Sequence, residues 1–116
     1  MAIRFARIED SEALLRIYGQ YIDTPVTFEY ALPGVRAFAE RIGGILAMYP
    51  YLVWEEDGQI LGYAYAHRHR EREAYQWNAE LSIYVDGRCV RRGIGRRLLR
   101  ALLTLLRMQG VRTAYS

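Results

Sequence analysis

One acid and a run of arginines around two glycines are the residues of this sequence best suited to chemistry. Leu81, Ile83 and Val85 alternate with Glu80, Ser82 and Tyr84. That is the period of a strand, and it puts the carboxylate on one face with a hydroxyl and a phenol. Six residues on, Arg91, Arg92, Gly93, Ile94, Gly95 and Arg96 open a helical pattern in which Ile94, Leu98, Leu99, Leu102, Leu103 and Leu106 recur at three, four and seven, with Gly110 as its stop. The glycines admit a bulky group close to the backbone, and the first-turn N–H groups have no acceptor inside their own helix. Such a junction suits an anion carrying several phosphates.

Charge points the same way. The chain has sixteen basic residues against thirteen acids, yet no acid follows Asp86, while half of the arginines do. A helix start that already favours anions is thus supplied with guanidinium groups and spared carboxylates. Arg91 and Arg92, beside the glycines, are the side chains expected at the anion. Those of Arg96, Arg100 and Arg107 read as a solvated outer face, Arg96 contributing its backbone amide. A dinucleotide fingerprint would need a third glycine where Leu98 stands, and a phosphate loop of the Gly-Lys-Ser/Thr type would need a lysine, of which there is none. The same absence excludes a Schiff-base lysine.

On pattern alone Glu80 divides evenly between a general base, its pKa raised by the rings of Tyr75, Trp77 and Tyr84, and an acid facing solvent. His67 and His69 alternate onto a face with Tyr63 and Tyr65, but no third histidine exists to complete a metal site, so they read as cleft-lining or surface residues and no metal is expected. Arg68, Arg70 and Arg72 near Glu71 and Glu73 form an ordinary charge run. The stretch Asp23 to Leu32 mixes Phe28 and Tyr30 with Glu29 and suits either a wall over a small polar substrate or a packed connector. The single cysteine, Cys89, reads as a small loop residue in a reducing cytoplasm.

The elements that must position these groups follow from periodicity. At 116 residues, 52% of them hydrophobic, the chain is one domain with one core and no apolar run able to span a bilayer. Ala2 to Arg7 reads as a strand. Asp10 reads as the cap of a helix with Leu14, Ile17, Tyr18, Tyr21 and Ile22 on one face. Pro33 and Gly34 open a second helix whose Val35, Phe38, Ala39, Ile42 and Leu46 share a stripe, ended by Pro50. Tyr51 to Glu55 and Gln59 to Arg70 read as strands joined at Asp57-Gly58, and a last strand begins at Val111. A strand, the basic helix and a second parallel strand then place the helix start at the carboxyl ends of the strands, which is a ligand crevice.

The segment VRRGIG, Val90 to Gly95, following LSIYV, resembles the coenzyme A signature of the GNAT N-acetyltransferases, usually Gln/Arg-x-x-Gly-x-Gly/Ala, with Val90 in place of the first residue. The stretches 21–30, 49–66 and 72–85 resemble the phosphinothricin acetyltransferase branch of that family. The resemblance implies an α/β GNAT fold, a mixed twisted sheet with flanking helices. It further implies acetyl-CoA as co-substrate, in a splay of the sheet beside the backbone of Ile83, Tyr84 and Val85 and at Arg91 to Arg96. It favours Glu80 as base, acting through water, with the Val85 N–H as oxyanion donor. Arg72 takes the position where the family holds its substrate's anionic group, with Phe28 and Tyr75 beside it. The family fold continues with a further helix and two strands, so the chain reads as a single domain, residues 1–116, lacking its C-terminal part.

The function so implied is transfer of acetyl to the primary amine of a small amino-acid-like substrate of phosphinothricin or methionine sulfoximine type, by a cytoplasmic homodimer. A coenzyme A-binding fragment without turnover is the alternative. A basic nucleic-acid-binding module, suggested by the sequence pI near 9.2, fits less well, because the arginines follow a phosphate-cradling turn rather than an aromatic platform or a reading helix.

Overall fold

A computed structural model describes residues 2–22, 33–68, 78–90, 92–108 and 113–115. Five strands form one mixed sheet in chain order: β1 (Ala2–Phe5), β2 (Tyr51–Glu56), β3 (Gln59–Arg68), β4 (Asn78–Val85) and β5 (Thr113–Tyr115). All neighbours are antiparallel except β4 and β5, which run parallel because α3 (Ile94–Met108) lies between them in the chain. Helices α1 (Ser11–Gly19) and α2 (Val35–Leu46) connect β1 to β2.

The side-chain alternation of the strands sorts the core into two layers. Leu52, Trp54, Leu61, Ala64, Ala66 and Leu81 meet Ile94, Leu98, Leu102 and Leu106 of α3. Tyr51, Val53, Tyr63 and Tyr84 meet Leu14, Ile17 and Tyr18 of α1 and Phe38 and Ile42 of α2. Leu98 and Leu102 are wholly buried, each worth about 1.5–3 kcal/mol of removed apolar surface. Asp57 and Gly58 both have positive φ, 51° and 76°, which gives the two-residue turn joining β2 to β3 a twist matching the strands. Between Trp54 and Glu55 the register slips by one, leaving Leu61 as the extra residue on β3.

Gly62, next to that bulge, lets α3 press on the sheet. A methyl group there would stand 3.1 Å from Ile94 Cγ2 and 3.3 Å from the Tyr84 carbonyl oxygen. Gly62→Ala is therefore expected to cost about 1–3 kcal/mol in denaturant unfolding, by pushing α3 outward.

The structure corrects four expectations. Asp10 does not cap α1: it ends a 3-10 turn, Ile8–Asp10, and its carboxylate instead accepts the Arg7 N–H at 2.8 Å and both arms of the Arg4 guanidinium. Helix α1 stops at Gly19, so Tyr21 and Ile22 pack from a turn. Strand β1 ends at Phe5. Val35, expected in the buried stripe of α2, is exposed, and the buried residues of that helix are Phe38 and Ile42.

Candidate functional site

Where β4 ends, the chain enters a 3-10 turn, Gly87–Cys89, and three residues at the end of α1 hold that turn. Arg16 donates to the Asp86 carboxylate at 3.1 Å, Gln20 accepts the Gly87 N–H at 2.8 Å, and the Tyr21 hydroxyl donates to the Val85 carbonyl at 2.6 Å. Asp86 is 1% exposed and also accepts the Arg88 N–H and guanidinium. The Arg88 hydrogen bond is the main force holding its pKa well below the usual carboxylate range; burial opposes, and the Arg88 N–H and Arg16 add to it. Asp10 is also lowered: burial works against it, and Arg4 and the Arg7 N–H outweigh that cost. Depressed carboxylates stabilise the fold above their ordinary pKa of about 3.9 and lose that contribution as pH falls through the folded value. The urea midpoint should consequently drop on acidification below about pH 4, less steeply in Asp86→Asn.

The other side of the turn is held by the β2–β3 hairpin. Arg92 donates both to Glu56 Oε1 at 2.9 Å and to Oε2 at 2.8 Å, Trp54 Nε1 donates to the same carboxylate at 2.8 Å, and the Arg97 guanidinium lies 5.6 Å above the Trp54 ring. The Trp54 and Arg92 hydrogen bonds lower the Glu56 pKa. Cys89 is buried beneath this turn as a core residue.

Between these two anchors a cleft of about 700 Å³ opens, lined by Tyr21, Ile83, Val85, Val90, Arg92, Gly93, Gly95 and Arg96. Gly93 has φ +79°, a conformation that L side chains rarely adopt, and open space where a Cβ would stand. A Cβ on Gly95 would touch Val85 and Ile83 at 3.6 and 3.7 Å, so the small residue brings the helix start against β4. The first bond into the helix runs from the Arg97 N–H to the Gly93 carbonyl, which leaves the N–H groups of Ile94, Gly95 and Arg96 without an intrahelical acceptor. On β4 the Asp86 N–H bonds Leu61 of β3, so by alternation the N–H groups of Ile83 and Val85 point the other way, toward the cleft. Among the described residues, strand β5 pairs with β4 at Asn78, Ala79 and Glu80.

Of the residues named from sequence, Ile83, Val85, Arg92, Gly93, Gly95 and Arg96 line this one cleft, and Ile94 carries one of the first-turn amides while its side chain is buried. Tyr84 does not turn to the cleft: its ring packs on Tyr18, Tyr21 and Tyr63 at 5.2–5.4 Å. Glu80 stands at the far end of β4 with its carboxylate beside His67. Phe28, Arg72, Tyr75 and Arg91, with His69 and Trp77, lie outside the described residues. The parts played by Tyr21, Gln20 and Glu56 were not legible in the sequence, since Val85, Gly87 and Arg92 each lie at least 36 residues away. Burial holds the Tyr63 phenol well above its ordinary pKa, and Tyr51 likewise, so both keep their protons. Among the described residues no three His, Cys, Asp or Glu side chains gather as a metal site, and no helix is long and apolar enough to cross a membrane.

Residues 3–116 match the acetyltransferase (GNAT) domain family. The chain belongs to the GNAT acetyltransferases. The phosphinothricin N-acetyltransferase of Alcaligenes faecalis is 38% identical over 103 residues, which are 87% of this chain and 52% of that protein. A GNAT phosphinothricin acetyltransferase of Sinorhizobium meliloti, solved in complex with acetyl-CoA, is 34% identical with a TM-score of 0.82, covering 89% of this chain and 57% of that one. The yncA protein of Salmonella typhimurium, solved with its cofactor acetyl-CoA, is 30% identical with a TM-score of 0.90, covering 98% of this chain and 68% of that one. This chain therefore spans about half the length of the Alcaligenes relative. Its mixed sheet with helices on both faces is the GNAT fold that the signature at Val90 to Gly95 implied.

Proposed function

We propose that this GNAT domain binds acetyl-CoA and transfers its acetyl group to the primary amine of a small amino-acid-like acceptor of phosphinothricin or methionine sulfoximine type. The observation that carries the reading is the cleft itself: free first-turn amides of α3, a left-handed glycine beside them, and the outward backbone of β4 converge on one space. That combination fits a ligand with a phosphate-bearing part and a flatter, amide-rich part. The N–H groups of Ile94, Gly95 and Arg96 would hold the phosphates, with the Arg96 side chain near, while Ile83 and Val85 would hold the extended portion. Bound there, acetyl-CoA supplies an acyl group activated as a thioester.

The chain's own groups then divide the work. Glu80 takes a proton from the acceptor's ammonium, directly or through water, and so frees the nitrogen lone pair. The Val85 N–H is a donor for a carbonyl oxygen gaining negative charge. Ile83 offers a second such donor three residues from Glu80, about 10 Å of strand against about 17 Å for Val85. Arg92, expected at the anion, is engaged by Glu56, and this makes backbone amides rather than its guanidinium the main anion contacts.

Thiol release from acetyl-CoA, measured with phosphinothricin and methionine sulfoximine as acceptors, tests this reading. Release that requires the amine is expected. Release absent with both, together with salt-dependent binding of duplex DNA in calorimetry, would replace it with the nucleic-acid reading.

A further inference from the structure

The α1/α2 face of the sheet carries a histidine–carboxylate contact that the anion cleft does not use. His67 of β3 stands directly opposite Glu80 in the antiparallel register, and its Nε2 lies 3.2 Å from Glu80 Oε1. The two side chains are 34% and 48% exposed, so as a stabilising pair they contribute little. Their geometry matters more. The imidazole lies 5.6 Å from the Tyr65 ring, Tyr65 stacks on Tyr51 at 4.7 Å, and Tyr65 lies nearly parallel to the fully buried Tyr63 at 6.3 Å. A row of rings thus runs from the core out to His67 and presents its Nε2 to the acid. Among the described residues, the groups facing His67 are Glu80 from β4 and Tyr65 from its own strand, with Tyr51 of β2 behind.

We propose that His67 is a positioning residue for Glu80. The imidazole donates its Nε2–H to Oε1, which fixes the carboxylate and leaves Oε2 to accept the proton that the acceptor's ammonium gives up. The carboxylate becomes a carboxylic acid, the nitrogen keeps its electron pair, and the imidazole gains and loses nothing. A half-exposed glutamate would otherwise spend its rotamers in solvent, and the cross-strand contact removes part of that entropy before the acceptor arrives. The inference rests on reading Glu80 as the base.

Two measurements on the full chain test it. His67→Leu is expected to lower kcat about tenfold with KM for acetyl-CoA unchanged, and His67→Gln, which keeps an N–H donor, to recover much of that loss. In ¹⁵N spectra the His67 Nε2 resonance should move in Glu80→Gln and stay in place in Glu12→Gln, a change on α1. An unchanged kcat in a folded His67→Leu protein, or an Nε2 resonance indifferent to Glu80→Gln, overturns the positioning role. Coupled resonances in a wild-type protein that releases no thiol with any amine overturn the acetyl-transfer reading, and the positioning role with it, while leaving the contact itself established.

Discussion

Glu80→Gln should lower kcat for amine acetylation by about 10²–10⁴-fold and leave acetyl-CoA affinity within about twofold. The amide keeps the size of the side chain, and its oxygen still accepts from His67, so the contact across β3 and β4 survives the change. What it loses is a site able to take a proton. Binding of acetyl-CoA should be spared because the phosphate cradle lies thirteen and more residues farther along the chain, at Gly93 to Arg96. The loss should shrink as pH rises, since more of the acceptor is then free amine and needs no base. Steady-state kinetics from neutral to alkaline pH reads both effects, and an unchanged rate at neutral pH would make Glu80 a solvent-facing residue.

Gly93→Val is the second large effect. At φ +79° a β-branched residue is strained by about 1–3 kcal/mol, so the turn must rearrange, and its new side chain enters space that lines the cleft. Acetyl-CoA affinity should fall at least about tenfold. Arg107→Ala, on the exposed last turn of α3, should change little. Calorimetry with both variants separates the cleft from a diffuse attraction by positive charge: equal losses would mean that net charge, and not the turn, holds the ligand. The structure also refines why the glycine is needed. Nothing lies within 4 Å of a Cβ at this position, so the requirement is the backbone conformation rather than crowding within the protein.

What could be read from sequence was whatever depends on neighbours a few residues apart. The leucine spacing of α3 located its buried face, and Asp57-Gly58 located a hairpin turn, because helix period and turn conformation are local. Alternation along β4 set Leu81, Ile83 and Val85 apart from Tyr84, and the structure adds which helix each face meets, α3 for the first three and α1 for Tyr84. Contacts across the fold were not legible. Asp10 looks like a cap from its position, yet Arg4, arriving on β1, draws the carboxylate elsewhere. Arg92 looks like a phosphate ligand beside two glycines, yet Glu56 comes from a hairpin 36 residues away and binds it at both oxygens. Gly62 gives no sign in its own segment that α3 will press upon it. The tail's charge excess was read correctly as composition, but two of its arginines, Arg92 and Arg97, are engaged by β2.

The central claim is that the start of α3 and the outward edge of β4 form one acetyl-CoA site. Amide shifts in a ¹⁵N-labelled sample titrated with acetyl-CoA test it most directly. The expected result is a saturable set of shifts at Ile83, Val85, Ile94, Gly95 and Arg96, with Leu15 and Ile42 on the opposite layer unmoved. Shifts spread over Arg88, Arg100 and Arg107 without saturation, or no shift at Gly95 and Arg96, would contradict it.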